Sequence, residues 1–403
     1  MKNITKLSFV TALTMASFTT CLSANETLAD AFTNGKIKGE IKSVYSSSNF
    51  LGNSKTDNIS TVGGSLGFIT TDFYGFSAGA TFQASHVIDD RNKNNVFSSD
   101  LNASGGVLSE VYLDYKLSNT NIKAGRQYIY TPLVSTAITG KSSESLIKDS
   151  FEAYLLTNSD IPNTTIIAGY VDKYQAKTDG NTDIGKFEDF EDGAYTLYVK
   201  NNSVENLELQ AQYLDVNATN SNNDRSNVYL QADYKIGTHT ISAQYLASKD
   251  ESKGSSLEDG ELYGIKAQGA LGIGKLGYLV AFNSSTKDGD VNLGAGAGTT
   301  DTAFTAMPVN GGGVPTRANT DTLVGGLIVP VYDITTIAYA GYSWSNGGLG
   351  DVSAVGAMAI YPFYKNFLLK VNYEHVETEH TIIPAGIEDK NTDVTRVYLS
   401  YNF

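Results

Sequence analysis

The sequence predicts an all-β chain that closes into a transmembrane antiparallel β-barrel of 18 strands, with 16 the alternative count. Three observations predict it: segments of about ten residues with period-two alternation recur from Lys36 onward, short and long connections between them take turns, and the chain ends on an aromatic strand. In that last segment, Asp393-Val-Thr-Arg-Val-Tyr-Leu-Ser-Tyr-Asn-Phe403, residues two apart share a face. Val397, Leu399, Tyr401 and Phe403 then face lipid, while Arg396, Tyr398, Ser400 and Asn402 face water. A soluble edge strand shows the same alternation, so the other segments decide.

Residues 1–24 have the layout of a secretory signal peptide: Lys2 and Lys6 in front, an uncharged and mostly apolar run over 7–20, and Leu22-Ser-Ala24 at the cut. The apolar run is shorter than the roughly 20 residues a membrane helix needs. Cys21, the one cysteine, follows Thr20 rather than the small residue that lipoprotein processing prefers, so the mature chain from Asn25 is read as free of cysteine. Residues 25–35 read as a short helix or extended segment, with Leu28, Ala31 and Phe32 on one helical face and Gly35 ending it. The barrel is expected over 36–403.

Removing residues 1–24 takes away Lys2 and Lys6 and no acid, which moves the net charge from −14 to −16 and makes nucleic acid an unsuitable partner. Only 41% of the chain is hydrophobic and no run of 18 apolar residues exists, which excludes membrane-spanning helices. The 25 Tyr, 17 Phe and 39 Gly against 7 Pro suit a barrel wall with aromatic belts at both membrane interfaces.

The clearest strand segments are 37–45, 111–117, 195–199, 207–213, 228–234, 241–247, 276–282, 369–373 and the last one. The apolar stretches 164–170 and 323–332 do not fix their own register. Tight joints rich in Gly, Asn, Asp and Pro fall at 71–75, 118–120, 158–163, 202–206, 237–238, 272–274, 333–334 and 362–366. Polar loops alternate with them, including 89–106, 131–149, 175–193, 248–260, 284–322 and 375–393. Such a barrel has a turn end and a loop end. At about 16 to 18 strands it is too wide for its own side chains to fill, which implies an aqueous pore.

On this register the lumen receives Lys38, Lys42, Lys116, Lys200, Lys235, Lys266, Lys370 and Arg396, against Glu40, Glu110, Asp114, Glu152, Glu208, Asp233 and Glu374. The wall is near charge balance, so the acidic excess falls in the outer loops, notably Glu188-Asp-Phe-Glu-Asp192, Glu258-Asp259 and the acids of 377–388. A negative mouth concentrates cations; the plainer alternative is that these acids keep the surface soluble.

The third long loop, 131–149, holds Leu133, Val134, Ala137, Ile138, Leu146 and Ile147, which suit a loop folded inward against the wall. Lys141, Glu144, Lys148 and Asp149 are then expected to line a constriction, with Lys123 and Glu152 beside them. Strict alternation places Lys123 and Gln127 inside and Arg126 towards lipid, so a bulge at Gly125 that returns Arg126 to the pore is expected.

Along its mature length the chain resembles the OprD-like outer-membrane porins, and among them the campylobacter-type major porins. The residues that carry the resemblance are Glu26-Thr-Leu-Ala-Asp-Ala-Phe-Thr-Asn-Gly-Lys-Ile-Lys-Gly-Glu-Ile41, Ala124-Gly-Arg-Gln127 followed by Thr131-Pro-Leu133, and Asp149-Ser-Phe-Glu-Ala-Tyr154 followed by Asp160-Ile-Pro162. The resemblance implies an 18-stranded barrel, a homotrimer, an inward third loop and diffusive uptake of ions and small hydrophilic solutes. A barrel of this kind sits in the outer membrane of a Gram-negative cell. Its further partners are outer-membrane lipid, lipopolysaccharide and the barrel-assembly machinery, which reads the C-terminal Phe403. Substrate-specific members carry a basic ladder for carboxylated solutes, and here Lys116, Lys123, Arg126 and Arg396 are interspersed with acids, which favours a general, weakly cation-preferring porin.

Other functions have thinner support. Glu188, Asp189, Glu191 and Asp192, or His375, Glu377 and Glu379, have the chemistry to hold a divalent metal, but a solvated loop is the plainer account, and no cofactor is expected. No histidine has a motif-bearing catalytic partner, so an enzyme is not expected. A surface adhesin or phage-receptor barrel is a further alternative, because the glycine-rich stretch 292–300 through 310–315 is long enough to reach outward or to cover the mouth.

Overall fold

The computed structural model describes residues 27–49, 56–91, 96–219, 224–252, 258–286, 288–307, 314–345, 350–383 and 386–403. The segment read as a signal peptide lies outside them. A short helix, α1 (Leu28–Thr33), opens the described chain with a capping box between Thr27 and Asp30, and its Ala31 carbonyl accepts the Thr71 N–H at 3.0 Å. The strands follow as β1 (Lys36–Ser48), β2 (Asp57–Ile69), β3 (Phe76–Asp90), β4 (Gly105–Leu117), β5 (Thr120–Gln127), β6 (Ser150–Asn158), β7 (Thr164–Gln175), β8 (Phe187–Asn201) and β9 (Leu207–Val216). The second half comprises β10 (Arg225–Ile236), β11 (His239–Asp250), β12 (Gly260–Ala270), β13 (Gly277–Ser285), β14 (Thr320–Val331), β15 (Ile334–Ser345), β16 (Val352–Phe363), β17 (Phe367–Ile383) and β18 (Gly386–Asn402).

All 18 strands form one antiparallel sheet in which each pairs with its sequence neighbours. β1 also pairs with β18, from Glu40 opposite Asn402 to Ser48 opposite Val394, so the sheet closes and leaves no edge. Period-two alternation decides what each face carries. On β1, Ile37, Ile41 and Tyr45 point out and are exposed, whereas Lys42, Val44 and Ser46 point in and are buried. The pairing carries that order around the wall: Val397, Leu399 and Tyr401 of β18 stand opposite outward residues of β1.

Aromatic side chains gather at two levels of the outer face, as the amphipathic Tyr ring favours. Near the turn end, Phe367 stacks on Tyr401 at 4.6 Å between centroids and Phe76 on Tyr115 at 4.4 Å. Near the loop end, Tyr154, Tyr170 and Tyr195 form a row with spacings of 6.4 and 5.1 Å, continued by Tyr245 with Tyr263 and by Tyr342 with Trp344. Hydroxyls of this outer belt donate to acids at the rim: Tyr263 to Glu261 at 2.7 Å, Tyr342 to Asp351 at 2.6 Å and Tyr373 to Asp393 at 2.7 Å.

The tight joints carry left-handed residues where Asn tolerates them, at Asn163, Asn206 and Asn366. Two expected loops are corrected. Residues 375–383 and 386–393 continue β17 and β18 as a paired extension, in keeping with their many β-branched residues, and Glu188 to Asp192 fall within β8.

Candidate pore constriction

The third long connection, 128–149, turns into the barrel. Its Leu133 and Val134 are fully buried and join one apolar cluster with inward residues of the wall, among them Leu214 on β9, Tyr229 on β10, Leu246 on β11 and Leu262 on β12. Burying these side chains against the wall is what holds a polar backbone inside a wide lumen. Gln212 of β9 completes the seat: its side-chain oxygen accepts the Leu133 N–H at 2.8 Å.

The tip of this loop is fastened by charge. The buried Glu144 carboxylate lies 3.2 Å from the ammonium of Lys42 on β1 and also contacts that of Lys370 on β17, while its other contact is the Gly140 N–H at 2.6 Å. Burial pushes this carboxyl up, but the two ammonium groups outweigh that and hold it below its ordinary value. A second fastening ties the second connection, of which 91 and 96–104 are described, to the tip, where the Ser145 hydroxyl donates to the Asp100 carbonyl at 2.8 Å. Its Asp100 lies 2.9 Å from Arg396 on β18 and 3.1 Å from Lys177. Against burial, these two cations lower the Asp100 carboxyl.

Asp149 does not line the pore. It is fully buried, and its two oxygens accept the Ala137 N–H at 2.6 Å, the Ala297 N–H at 2.7 Å and the Tyr174 hydroxyl at 3.1 Å. Burial raises this carboxyl above its ordinary value, partly offset by the two N–H donors. Asp149 therefore joins the third loop to the seventh, 286–319, which also enters the lumen. Gly294, Gly296 and Gly298 lie against the third-loop backbone so closely that a Cβ on them would stand 2.2 Å from the Leu133 carbonyl, 2.3 Å from that of Ser135 and 2.2 Å from that of Thr136. Asp301 closes the contact by accepting from the Ser142 N–H at 2.9 Å. The glycine-rich stretch, read from sequence as long enough to reach outward or to cover the mouth, is up to Met307 an inward strap that needs glycine for close backbone approach, and its residues 310–313 lie outside the described ones.

Around these loops the inward rows are polar. Glu110 is buried between Lys38, at 3.2 Å, and the Thr81 hydroxyl, at 2.7 Å. Lys200 pairs with Glu208 at 2.8 Å, Asp114 accepts from Asn121, and Asp233 accepts from Gln231 and Ser242. Buried Glu374 accepts the Tyr339 hydroxyl at 2.7 Å. Lys116 is exposed near the turn end and Lys141 half-buried at the loop tip. Lys123, Lys148 and Lys266 combine two features. Their ammonium groups stand over aromatic rings, 3.7 Å from Tyr112, 5.6 Å from Tyr128 and 4.1 Å from Phe304, and among the described residues none forms an ion pair.

Arg126 and Glu152 are not in the pore, and no bulge occurs at Gly125. Arg126 lies opposite outward Val111 on one side and Glu152 on the other, in unbroken register. Its guanidinium pairs with Glu152 at 3.2 Å and lies 4.1 Å from the Phe187 ring, and Lys173 with Asp189, 2.9 Å apart, continue the outward cluster. Glu152 sits two residues nearer the loop end than Tyr154, so these charges stand at the outer edge of the aromatic belt, not at the bilayer midplane that the bulge was needed to avoid. The acids of 188–192 do not converge either. Asp189 is held by Lys173 and Asp192 by Thr219, and among the described residues no three metal-ligating side chains come together.

A closed barrel of 18 strands with polar inward rows and two loops strapped across its lumen is the build of a pore-forming membrane barrel. No family profile and no curated protein matches the sequence. Solved structures match the fold. Acinetobacter baumannii OccAB1 has a TM-score of 0.72 at 16% identity, covering 93% of this chain and 97% of that one. Pseudomonas aeruginosa OpdQ gives 0.70 at 14% identity over 93% and 99%, and A. baumannii OccAB4 gives 0.73 at 12% identity over 92% and 98%. The likeness is one of architecture, a closed antiparallel barrel of 18 strands.

Proposed function

We propose that this chain is a porin of the outer membrane of a Gram-negative cell, through which ions and small hydrophilic solutes diffuse. The observation that carries the proposal is a lumen narrowed by the third and seventh loops yet lined beside them by charged groups that keep contact with solvent, Lys38, Lys123, Lys148 and Lys266 among them. The export segment read from residues 1–24 and the fold shared with the Occ barrels support the location. Two charge sets compete for selectivity. Acids on the rim, such as Glu188, Glu261 and Asp351, draw cations to the mouth and favour the weak cation preference. Lys123, Lys148 and Lys266, which form no ion pair among the described residues, favour a second function: a channel selective for small anionic solutes such as carboxylates.

Single-channel current in a planar bilayer under a KCl gradient tests both. Salt-proportional steps with a cation-directed reversal potential are the result expected of the general porin. Anion selectivity that Lys123→Glu or Lys148→Glu reverses would establish the second function, and a folded barrel without conductance would refute the channel altogether.

A further inference from the structure

At the loop end, β17 and β18 outrun the strands on either side of them. β17 stays paired with β16 as far as Thr378, opposite Val352, and β18 with β1 as far as Val394, opposite Ser48. Just past those points the Glu379 N–H still reaches the Asp351 carbonyl at 2.9 Å and the Asn49 N–H the Asp393 carbonyl at 3.2 Å, and the ladder between β17 and β18 shifts register between Thr378 and Thr381. An imidazole stands at this exit. His375 of β17 is paired across the strands with Asp393 of β18, its Nδ1 lying 2.8 Å from that carboxylate, while its Nε2 lies 3.4 Å from Glu377, two residues on along β17. Each acid also reaches a flanking strand. Asp393 accepts the side-chain amide of Asn49, at the end of β1, at 2.9 Å and the Tyr373 hydroxyl at 2.7 Å, and Glu377 accepts the Ser353 hydroxyl of β16 at 3.4 Å.

A neutral imidazole has one N–H and one bare lone pair, so it satisfies one of these carboxylates and repels the other. Only the doubly protonated ring donates to both. We propose that His375 is a proton-operated clasp: charged, it ties β16, β17, β18 and β1 together at the rim and holds the projecting strand ends, 379–383 and 386–392, in place; neutral, it lets go of Glu377 and those ends loosen. The other groups around it do not compete for that role. Val355, opposite His375 on β16, is apolar, and Glu379 and Asp351 further along add acid and no cation. The bond to Asp393 first, and then that to Glu377, outweigh burial and raise the His375 pKa above its ordinary value of about 6.5. The clasp is therefore fully closed below that value and is lost as pH rises through the raised one. It acts whether or not the barrel conducts.

Limited digestion of the folded barrel in detergent with proteinase K, read by mass spectrometry of the fragments, tests the proposal. Cleavage within the projecting ends, scaled at each pH to that of the urea-denatured chain, should rise at least about threefold from pH 6 to pH 9. His375→Gln should be cut at pH 6 as fast as the parent at pH 9, and His375→Arg, with a fixed charge that can donate to both acids, should resist at both. A parent cut equally at the two pH values, or a His375→Gln barrel that keeps the parent's pH dependence, would overturn the proposal. Should the His375 variants fail to fold, Glu377→Gln decides: with an amide beside Nε2 the neutral ring is satisfied and the rise should flatten, and a full rise would sink the clasp.

Discussion

Glu144 decides where the third loop rests. Two lysines from strands far apart in sequence converge on one buried carboxylate, and removing the charge leaves the Lys370 ammonium buried without a counter-ion and Lys42 with Glu40 alone, a loss of about 3 to 5 kcal/mol. Glu144→Gln is therefore expected to release the loop tip, and single-channel recording should show larger and noisier current steps; unchanged steps would mean that Glu144 does not hold the constriction. Acid should act in the same direction. Because the folded-state pKa of Glu144 is lowered, its stabilisation is complete above the ordinary carboxylate range and fades as pH falls through the lowered value. Conductance should stay flat from pH 8 to about 5 and change only below about 4, where the free carboxylate titrates. Asp149 has the opposite sign: its raised pKa means that ionising it opposes the fold as pH rises, an effect met by its three donors. The sequence marks both acids as constriction candidates, because an apolar loop carrying acids must either expose or partner them. For Glu144 that depends on lysines 102 and 226 positions away, and for Asp149 in part on Ala297, 148 positions away, which no local pattern records.

At the scale of elements, the strap formed by the third and seventh loops explains a composition that reads differently in sequence. Leu293-Gly-Ala-Gly-Ala-Gly298 looks like a flexible linker, yet every second residue is glycine because every second residue lies on another backbone. Glycine at every second position marks close approach here, up to Gly296 and on into the short 3-10 turn Ala297–Asp301. Gly296→Val would place its Cβ 2.3 Å from the Ser135 carbonyl at a positive φ, straining the strap by about 1 to 3 kcal/mol. Limited proteolysis of the folded barrel should then cut within 286–319, where the parent resists; equal resistance would show that the strap tolerates separation. The expectation for Arg126 failed for a different reason. Alternation alone gives the correct face, but it gives no height, and only the Tyr154 row shows that the charge lies at the belt and needs no bulge.

For the whole molecule, the alternation of short and long connections was enough to count strands, and the last strand enough to orient them, because closure ties every register to its neighbours. Leu399 lies on the outward row between Tyr401 of the turn-end belt and the level of Tyr373 in the outer one. Leu399→Arg should lower stability by about 2 to 4 kcal/mol in urea titrations from lipid vesicles, and an unchanged midpoint would contradict the assigned face.

The seam that shuts this barrel joins Asn49 to Asp393, 344 positions away, and pairs the first strand with the last. Such a contact has no local precursor, so an incomplete chain has nothing to close on. Each hairpin can form early, yet each half-built sheet keeps two bare edges until the final strand arrives. Assembly of the barrel is therefore an all-or-nothing event, complete only when the last strand reaches the first.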